Sequence, residues 1–252
     1  MSDRPLRLRA ASRSDVGRVR SANEDSFIER PDMGLWVVAD GMGGHANGRW
    51  ASGTIVDAIA PLTPSGDFDA DIRRVADAVH AANATIHNRA LTDGASMGST
   101  VAALLLQEGY FSVLWVGDSR VYLCRKGVLH QLSRDHTQVQ EMVESGLLTP
   151  EEARTHPMSH VLARAVGVEP SLEIDVIVDE AEVGDSFLLC SDGLTARVSN
   201  EEIAAAMAGA QPQATASSLV ELCLERGAPD NVTAVAVACE EMTRLSLASA
   251  AG

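Results

Sequence analysis

Four acidic residues in this chain share one local pattern, and together they could do metal chemistry. Three of them follow short apolar runs that have the length of buried strands, and the fourth precedes such a run. If these strand ends converge, the carboxylates share one pocket, where cations or protons must relieve their mutual repulsion. Each acid lies beside a residue that favours a turn: Asp40-Gly41, Gly117-Asp118, Asp192-Gly193 and Asp230-Asn231.

Oxygen ligands without accompanying Cys or His favour Mg²⁺ or Mn²⁺ over zinc. Two such ions can activate a water molecule between them and direct it at phosphorus. Arg20 would then supply the planar guanidinium that grips a phosphate. An ordinary turn is the alternative for each acid, and Asp40-Gly41 taken alone is about as typical of a turn as of a site.

Composition limits the class of protein. The chain has 252 residues, enough for a full core, and its 35 acidic against 20 basic residues give a net charge of −15. This acidic balance argues against nucleic acid as a partner, because its backbone requires clustered Lys and Arg. The first residues contain no secretory signal, and no stretch approaches a membrane span of about 20 apolar residues. We therefore expect a cytoplasmic protein that binds neither nucleic acid nor membrane.

The four cysteines are widely spaced and lie in apolar segments, which indicates buried thiols rather than disulfides or a zinc site. No internal repeat or linker divides the chain. We therefore expect one domain over residues 1–252, with a core of about 6–240 and a flexible tail at 241–252.

Strands and helices predicted from hydrophobic periodicity would position the acids. Helices are expected at 48–59, 67–91, 136–154 and 212–226, with a short helix capped by Ser199. Apolar runs that lack alternation imply sheets covered on both faces. The predicted strands are 6–10, one starting near 26–28, 35–39, 101–106, 110–116, 121–124, 128–132, 172–178, 186–190 and 232–239.

Six short motifs occur in a fixed order over about residues 8–240. Each motif alone is weak, but together they resemble the metal-dependent type-2C protein serine/threonine phosphatases (the PPM family) in their compact bacterial form. The motifs are Arg20-x-x-x-Glu24-Asp25, Val38-Ala39-Asp40-Gly41-Met42-Gly43-Gly44, Gly98-Ser99-Thr100, Val116-Gly117-Asp118-Ser119-Arg120, Ser191-Asp192-Gly193 and Asp230-Asn231-Val232-Thr233.

The resemblance implies an α+β fold, a four-layer α-β-β-α sandwich of two antiparallel sheets with helices outside each. It implies hydrolysis of phosphoserine and phosphothreonine in proteins by a water activated between two Mn²⁺ or Mg²⁺ ions, without a phosphoenzyme intermediate. The substrates would be targets of a bacterial serine/threonine kinase, and the protein is expected to be a monomer.

The resemblance also assigns roles to individual residues. Arg20 would bind the substrate phosphate. Asp40 would bridge the two metals, with the Gly41 carbonyl on one of them. The other implied ligands are Asp192 and Asp230 at the first metal, Glu24 and Asp25 acting largely through waters, and Asp118 with Asp192 at a possible third metal. Arg20, Asp40, Asp192 and Asp230 are the expected catalytic residues.

The sequence departs from some eukaryotic members after Asp40-Gly41, where they carry a histidine proposed as general acid. Met42 occupies that place here, and His45 follows three residues later. A structural role in the glycine-rich turn suits His45 about as well as proton transfer. It is therefore not counted among the expected site residues, and a metal-bound water is the alternative acid.

Residues 136–160, which we call the flap, match the variable segment that lies beside the active site in the family. The flap is expected to select protein substrates. The alternative is a structural helix pair that covers the core through Val139, Met142 and Leu147.

Two other functions remain open at this stage. A catalytically inactive relative could serve as a binding or regulatory module, but it would be expected to lack some of the metal-binding acids. A metal-dependent phosphodiesterase or small-molecule phosphatase could use the same carboxylates.

Overall fold

A computed structural model describes residues 6–44 and 46–242, except for the side chains of Arg154 and Thr155. Eleven strands and seven helices lie in this part of the chain. They are β1 (Leu6–Asp15), β2 (Asp25–Arg30), β3 (Leu35–Met42), α1 (Ala46–Ile59), α2 (Phe68–Asp93), β4 (Gly98–Ser99), β5 (Val101–Gln107), β6 (Tyr110–Val116), β7 (Arg120–Arg125), β8 (Val128–Gln131), α3 (Gln138–Glu144), α4 (Pro150–Thr155), β9 (Asp175–Glu180), β10 (Ser186–Cys190), α5 (Asp192–Thr195), α6 (Asn200–Met207), α7 (Pro212–Glu225) and β11 (Val232–Glu241).

The strands form two antiparallel sheets. Sheet A has the order β1-β11-β10-β7-β8, and sheet B has the order β2-β3-β5-β6-β9, with β4 paired to the end of β3. Every strand pair in both sheets is antiparallel. The expected arrangement of two antiparallel sheets is confirmed.

Alternate residues of the strands pack into different layers. Trp36 and Val38 of β3 point into the core between the sheets, where Phe187 of β10 meets Phe111 with ring centroids 5.0 Å apart. Leu35 of the same strand faces the opposite way, toward α1 and α2. A separate cluster packs α6 and α7 on the outer face of sheet A. Because both faces of the central strands β3, β5, β6, β10 and β11 are buried, these strands read as continuous apolar runs.

The capping boxes expected at Thr149 and Ser199 are confirmed, and a capping side chain also begins α2. Asp67 caps α2 by accepting the N–H of Ala70, and capping boxes begin α4 at Thr149 and α6 at Ser199. All four cysteines are free and buried, as expected. In the described part of the chain, no helix is both long and apolar enough to cross a bilayer.

Several predicted boundaries were wrong. β1 continues to Asp15, since it pairs along its whole length with β11. β3 was expected to end at Ala39, but it runs to Met42 because Gly41 and Met42 pair with β4. The strand expected at 172–178 is β9, displaced to Asp175–Glu180, where it pairs with β6.

The flap also differs from the single helical segment expected at 136–154. It contains two short helices, since α3 ends at Glu144 before Gly146, which has φ +75°, and Pro150 then starts a new helix. Val139 is buried, but the Leu147 side chain is 74% exposed and does not cover the core. Of the tail predicted for 241–252, Glu241 belongs to β11, and residues 243–252 lie outside the described residues.

Candidate active site

The acids from the first part of the chain meet at one end of sheet B. Asp25 of β2 and Asp40 of β3 are directly paired in the antiparallel register. The Gly41 N–H donates to the Glu24 carbonyl over 3.2 Å. A side chain at Gly41 would collide with the carbonyls of Gly48 and Glu24, so only glycine allows this approach. Register and backbone contact therefore bring four of the expected ligands together.

Asp25 connects this end of sheet B to sheet A. Its Oδ2 accepts hydrogen bonds from Ser191 Oγ at 2.8 Å and from Thr233 Oγ1 at 2.6 Å. Its Oδ1 is buried and has no hydrogen-bond partner. Burial, followed by the negative charges of Asp192 and Asp230, raises the pKa of Asp25 to about 7 despite the two hydroxyl donors. The orphaned oxygen is a position where a cation, or water bound to one, would satisfy the carboxylate.

Asp40 is fixed by its backbone. Its N–H donates to Thr100 Oγ1 at 3.0 Å, and its carbonyl accepts from the Thr100 N–H at 2.8 Å and from Ser99 Oγ at 2.9 Å. Burial raises the pKa of the Asp40 carboxyl well above its usual range. The further causes are the charges of Asp25, Asp192, Asp118 and Asp230, so each of these four carboxylates acts on Asp40.

Asp118 is held next to this group by the turn after β6. Gly117 has φ +100°, and an added Cβ would lie 2.6 Å from Thr100 Cγ2, so the turn requires glycine. The following Ser119 hydroxyl lies 2.6 Å from the Thr100 hydroxyl. Thr100 thus contacts both the Asp40 backbone and the residue after Asp118. Burial and the charge of Asp192 raise the pKa of Asp118 to about 8.

Sheet A contributes Asp192 at the start of α5, which Ser191 separates from β10, and Asp230 two residues before β11. Arg20 donates from its Nη2 to Asp230 Oδ2 at 2.7 Å. The Arg20 side chain is half exposed, which leaves the guanidinium accessible at the rim of the site. Asp230 is the first cause of a raised pKa for Arg20, followed at longer range by Glu24 and Asp40.

Asn231 organises the loop that carries Arg20, a role that its motif in the sequence did not indicate. Its Oδ1 accepts from the Glu24 N–H at 2.8 Å, and its Nδ2 donates to the carbonyls of Val16 and Ala22 at 2.9 and 3.0 Å. Asn231 is 5% exposed, and its three partner residues are partly buried. The signal in the sequence was its position beside Asp230, which gives no indication of these partners.

Sequence reasoning also missed the supporting hydroxyls and one histidine. Ser191 and Thr233 support Asp25, although only their neighbours had been assigned roles. His160 of the flap places Nδ1 3.7 Å from Asp192 Oδ2, and this carboxylate raises its pKa. No local signal relates two residues 32 positions apart. His45 lies outside the described residues.

The described residues contain no group of three or more His, Cys, Asp or Glu side chains in ready-made ligand geometry. The chemistry of the site still fits hard divalent cations, because its donors are oxygens and one buried Asp25 oxygen lacks a partner. Asp40, Asp192, Asp230 and the Gly41 carbonyl could hold such ions, with Asp118 at a neighbouring position.

The fold has two antiparallel sheets with outer helices, and acidic side chains gather where the sheets meet. This fold and this site are those of the metal-dependent phosphatases. The family model for protein phosphatase 2C matches residues 18–226. The chain therefore belongs to the protein phosphatase 2C family of serine/threonine phosphatases.

Relatives with known names support this membership. The chain is 42% identical to the serine/threonine protein phosphatase PstP of Mycobacterium tuberculosis over 238 residues, covering 91% of this chain and 45% of PstP. It thus spans about half the length of that relative. It is also similar to the solved structure of PppA of Pseudomonas aeruginosa, with TM-score 0.86, 42% identity and coverage of 92% of this chain and 97% of PppA.

A third structure bears on the metals. The catalytic domain of PstP has been solved in complex with two manganese ions, and it matches this chain with TM-score 0.84 and 39% identity over 94% of this chain and all of that domain. These neighbours share the two-sheet architecture described above.

Proposed function

We propose that this chain hydrolyses phosphoserine and phosphothreonine in proteins and that it requires Mn²⁺ or Mg²⁺. The observation that carries this proposal is the pairing of Asp25 with Asp40, together with the bonds from Ser191 and Thr233 to Asp25, which bring the acids of the two sheets to one end of the fold. The two manganese ions in the PstP catalytic domain support it. An inactive relative would be expected to lack some of these acids.

The residues divide into two groups. Asp40, Asp192, Asp230 and the Gly41 carbonyl would hold two ions, with Glu24 and Asp25 acting largely through waters, while Asp118 and Asp192 would hold a possible third. Such ions, when bound, lower the pKa of water and supply a strong nucleophile at neutral pH.

The protein's own groups then orient the substrate. Arg20 would donate to two phosphate oxygens with its planar guanidinium, which holds phosphorus in a fixed direction relative to the carboxylates. Ser191 and Thr233 keep Asp25 in place through its Oδ2. Asn231 fixes the backbone on either side of Arg20, at Ala22 and Glu24 on one side and Val16 on the other.

We further propose that hydrolysis proceeds without a phosphoenzyme intermediate. A cysteine nucleophile is disfavoured, because all four thiols are buried and none lies in a phosphate-binding loop. Burial raises the pKa of Cys190, the cysteine closest in sequence to Asp192, to about 12. A rapid acid quench with radiolabelled substrate should leave no label on the protein, and a labelled protein would refute direct hydrolysis.

The biological setting is also a proposal. Phosphorylated proteins, the targets of a bacterial serine/threonine kinase, would be the substrates of a cytoplasmic monomer. A comparison of phosphoprotein levels in cells with and without this chain would identify them, and an unchanged phosphoproteome would argue against protein substrates.

The direct test uses metal-free protein prepared with EDTA. Activity toward an aryl phosphate and a phosphothreonine peptide should be absent, and titration with Mn²⁺ should restore both. An Asp40→Asn variant, treated identically, should stay inactive. Full activity without metal would refute the proposal. Restored cleavage of a phosphodiester but not of the peptide would favour the phosphodiesterase alternative.

A further inference from the structure

His136 connects the flap to the turn that carries Asp118. Its backbone N–H donates to the Gly117 carbonyl at 2.9 Å, and the Gly117 N–H donates back to His136 Nδ1 at 3.1 Å. Both backbone groups of the residue before Asp118 are therefore bonded to the first residue of the flap. A displacement of His136 must move this turn or break these bonds.

The chain leaving the flap is bonded to the same residue. The Ala163 N–H donates to the His136 carbonyl at 2.8 Å, and Thr137 forms an isolated bridge with Leu162. Arg164 pairs with Asp175 at 2.7 Å, and Asp175 Oδ2 also lies 3.4 Å from His136 Nε2. The entry and the exit of the flap are thus joined at one histidine.

The surroundings of the His136 imidazole determine where its proton lies. The ring is 9% exposed and stacks on Trp115, with centroids 6.1 Å apart and planes 20° from parallel. Because Nδ1 accepts from Gly117, the proton of the neutral ring belongs on Nε2, which faces Asp175. Burial and the charge of Arg164 lower the pKa of His136, outweighing Asp175 and Asp135, which favours the neutral ring.

We propose that His136 is a positioning residue that couples the flap to Asp118, so that the geometry of the third-metal acid depends on the position of the flap. This inference deepens the proposed function and rests on it. A protein substrate that contacts the flap would change, through His136 and Gly117, how Asp118 is presented to the site. The coupling consists of two hydrogen bonds on Gly117, one on Ala163 and one buried aromatic stack.

Two substitutions distinguish the hydrogen bond that His136 Nδ1 accepts from the space that the side chain fills. In His136→Asn the Oδ1 atom can occupy the position of Nδ1 and accept from Gly117, whereas His136→Leu has no acceptor. Loss of a neutral hydrogen bond that leaves a buried N–H unpaired corresponds to a change of about tenfold. We expect His136→Leu to raise the Mn²⁺ concentration for half-maximal activity by about that factor, and His136→Asn to remain within about threefold of wild type.

Two measurements do not depend on turnover. In calorimetric Mn²⁺ titrations, His136→Leu should lose or weaken the last binding step and keep the first two, as Asp118→Ala should. Hydrogen exchange should show that the Gly117 and Ala163 amides lose protection together in His136→Leu. Val79→Ala, a buried substitution in α2, provides a variant with lowered stability that should change neither readout.

The outcomes discriminate between the hypotheses. Wild-type Mn²⁺ dependence and exchange in His136→Leu would overturn the coupling, as would equal losses in the Asn and Leu variants. If His136→Leu fails to fold, the nitrogen NMR spectrum of wild-type His136 decides, because a proton on Nδ1 would exclude the proposed bond. If wild-type protein lacks phosphatase activity, the proposed function fails, while the exchange and NMR results still test the coupling itself.

Discussion

Arg20 and Asp230 form an ion pair of 2.7 Å at the rim of the site, which joins the proposed phosphate-binding residue to a proposed metal ligand. The pair is partly exposed, with side-chain exposures of 53% and 39%, so its own contribution to stability is small, about 1 kcal/mol or less. The Arg20 guanidinium competes with metal binding, because it occupies a carboxylate oxygen of Asp230 that a cation would also use.

Replacement of Arg20 should therefore separate substrate binding from metal binding. Arg20→Ala should raise KM for an aryl phosphate by about tenfold or more, because a charge-assisted contact of about 1.5–3 kcal/mol is lost. Its affinity for Mn²⁺ should be unchanged or higher, since Asp230 is released. Steady-state kinetics measure the effect on KM, and calorimetry measures Mn²⁺ affinity. Arg20→Lys is the control, because it keeps the positive charge and lacks the planar guanidinium. Weaker Mn²⁺ binding in Arg20→Ala would contradict this view of the pair.

Asp192→Asn should reduce turnover by more than about 100-fold. Even the replacement of residues that only support metal ligands lowers metal affinity or activity by about 10–100-fold. The change keeps the size of the side chain and removes its charge, so Mn²⁺ binding should weaken as well. His160→Gln is the matched control, since it removes the flap histidine that faces Asp192 without touching the carboxylate. Normal turnover in Asp192→Asn would reject its assignment as a metal ligand.

Asn231 should affect substrate binding through the loop that carries Arg20. Asn231→Leu removes three partly buried hydrogen bonds, to the Glu24 N–H and to the carbonyls of Val16 and Ala22, at a cost of about 0.5–1.5 kcal/mol for each bond. We expect both a lower Tm and a higher KM. Asn83→Leu is the control, because this buried amide likewise bonds backbone groups, at Gly167 and Glu169. An equal rise of KM in the Asn83 variant would show that lost stability alone explains the effect.

Metal-free protein should lose stability as pH rises. Burial raises the pKa of Asp25 to about 7 in the folded state, so the folded protein holds a proton that the unfolded chain has already released. The resulting stabilisation is complete below about pH 4 and is lost as pH rises through about 7. In EDTA, Tm should fall between about pH 5 and about pH 8, and this fall should be smaller in Asp25→Asn. Parallel pH profiles for the two proteins would disprove this role of Asp25.

The flap should discriminate between protein substrates. Glu141 is exposed on α3, whereas Glu144 pairs with Arg134, so Glu141 is the better position for charge reversal. Glu141→Lys should change the relative kcat/KM values of acidic and basic phosphopeptides by several-fold and leave an aryl phosphate unaffected. Asp77→Lys in α2 makes the same change in net charge away from the flap. Equal effects on peptides and aryl phosphate, or none on either, would leave the flap without this role.

Sequence alone predicted the elements that depend on local signals. The apolar runs of the buried strands and the capping residues of α4 and α6 act over a few positions, so they can be read without the fold. The four acids beside turn residues could likewise be recognised from residue type. Periodicity could not show that β3 continues past Asp40, because that extension comes from pairing with β4, almost sixty residues later.

Tertiary structure decided which residues surround each acid. Asp25 resembles an ordinary loop acid in the sequence, and only the approach of sheet A places Ser191 and Thr233 on its Oδ2 and leaves Oδ1 without a partner. The bonds of Asn231 to the loop around Arg20, and of His136 to Gly117, also join distant parts of the chain. Residue type and spacing determine which chemistry is available, whereas burial and hydrogen bonding between the sheets determine the pKa and orientation of each group, because these depend on neighbours brought together only by folding.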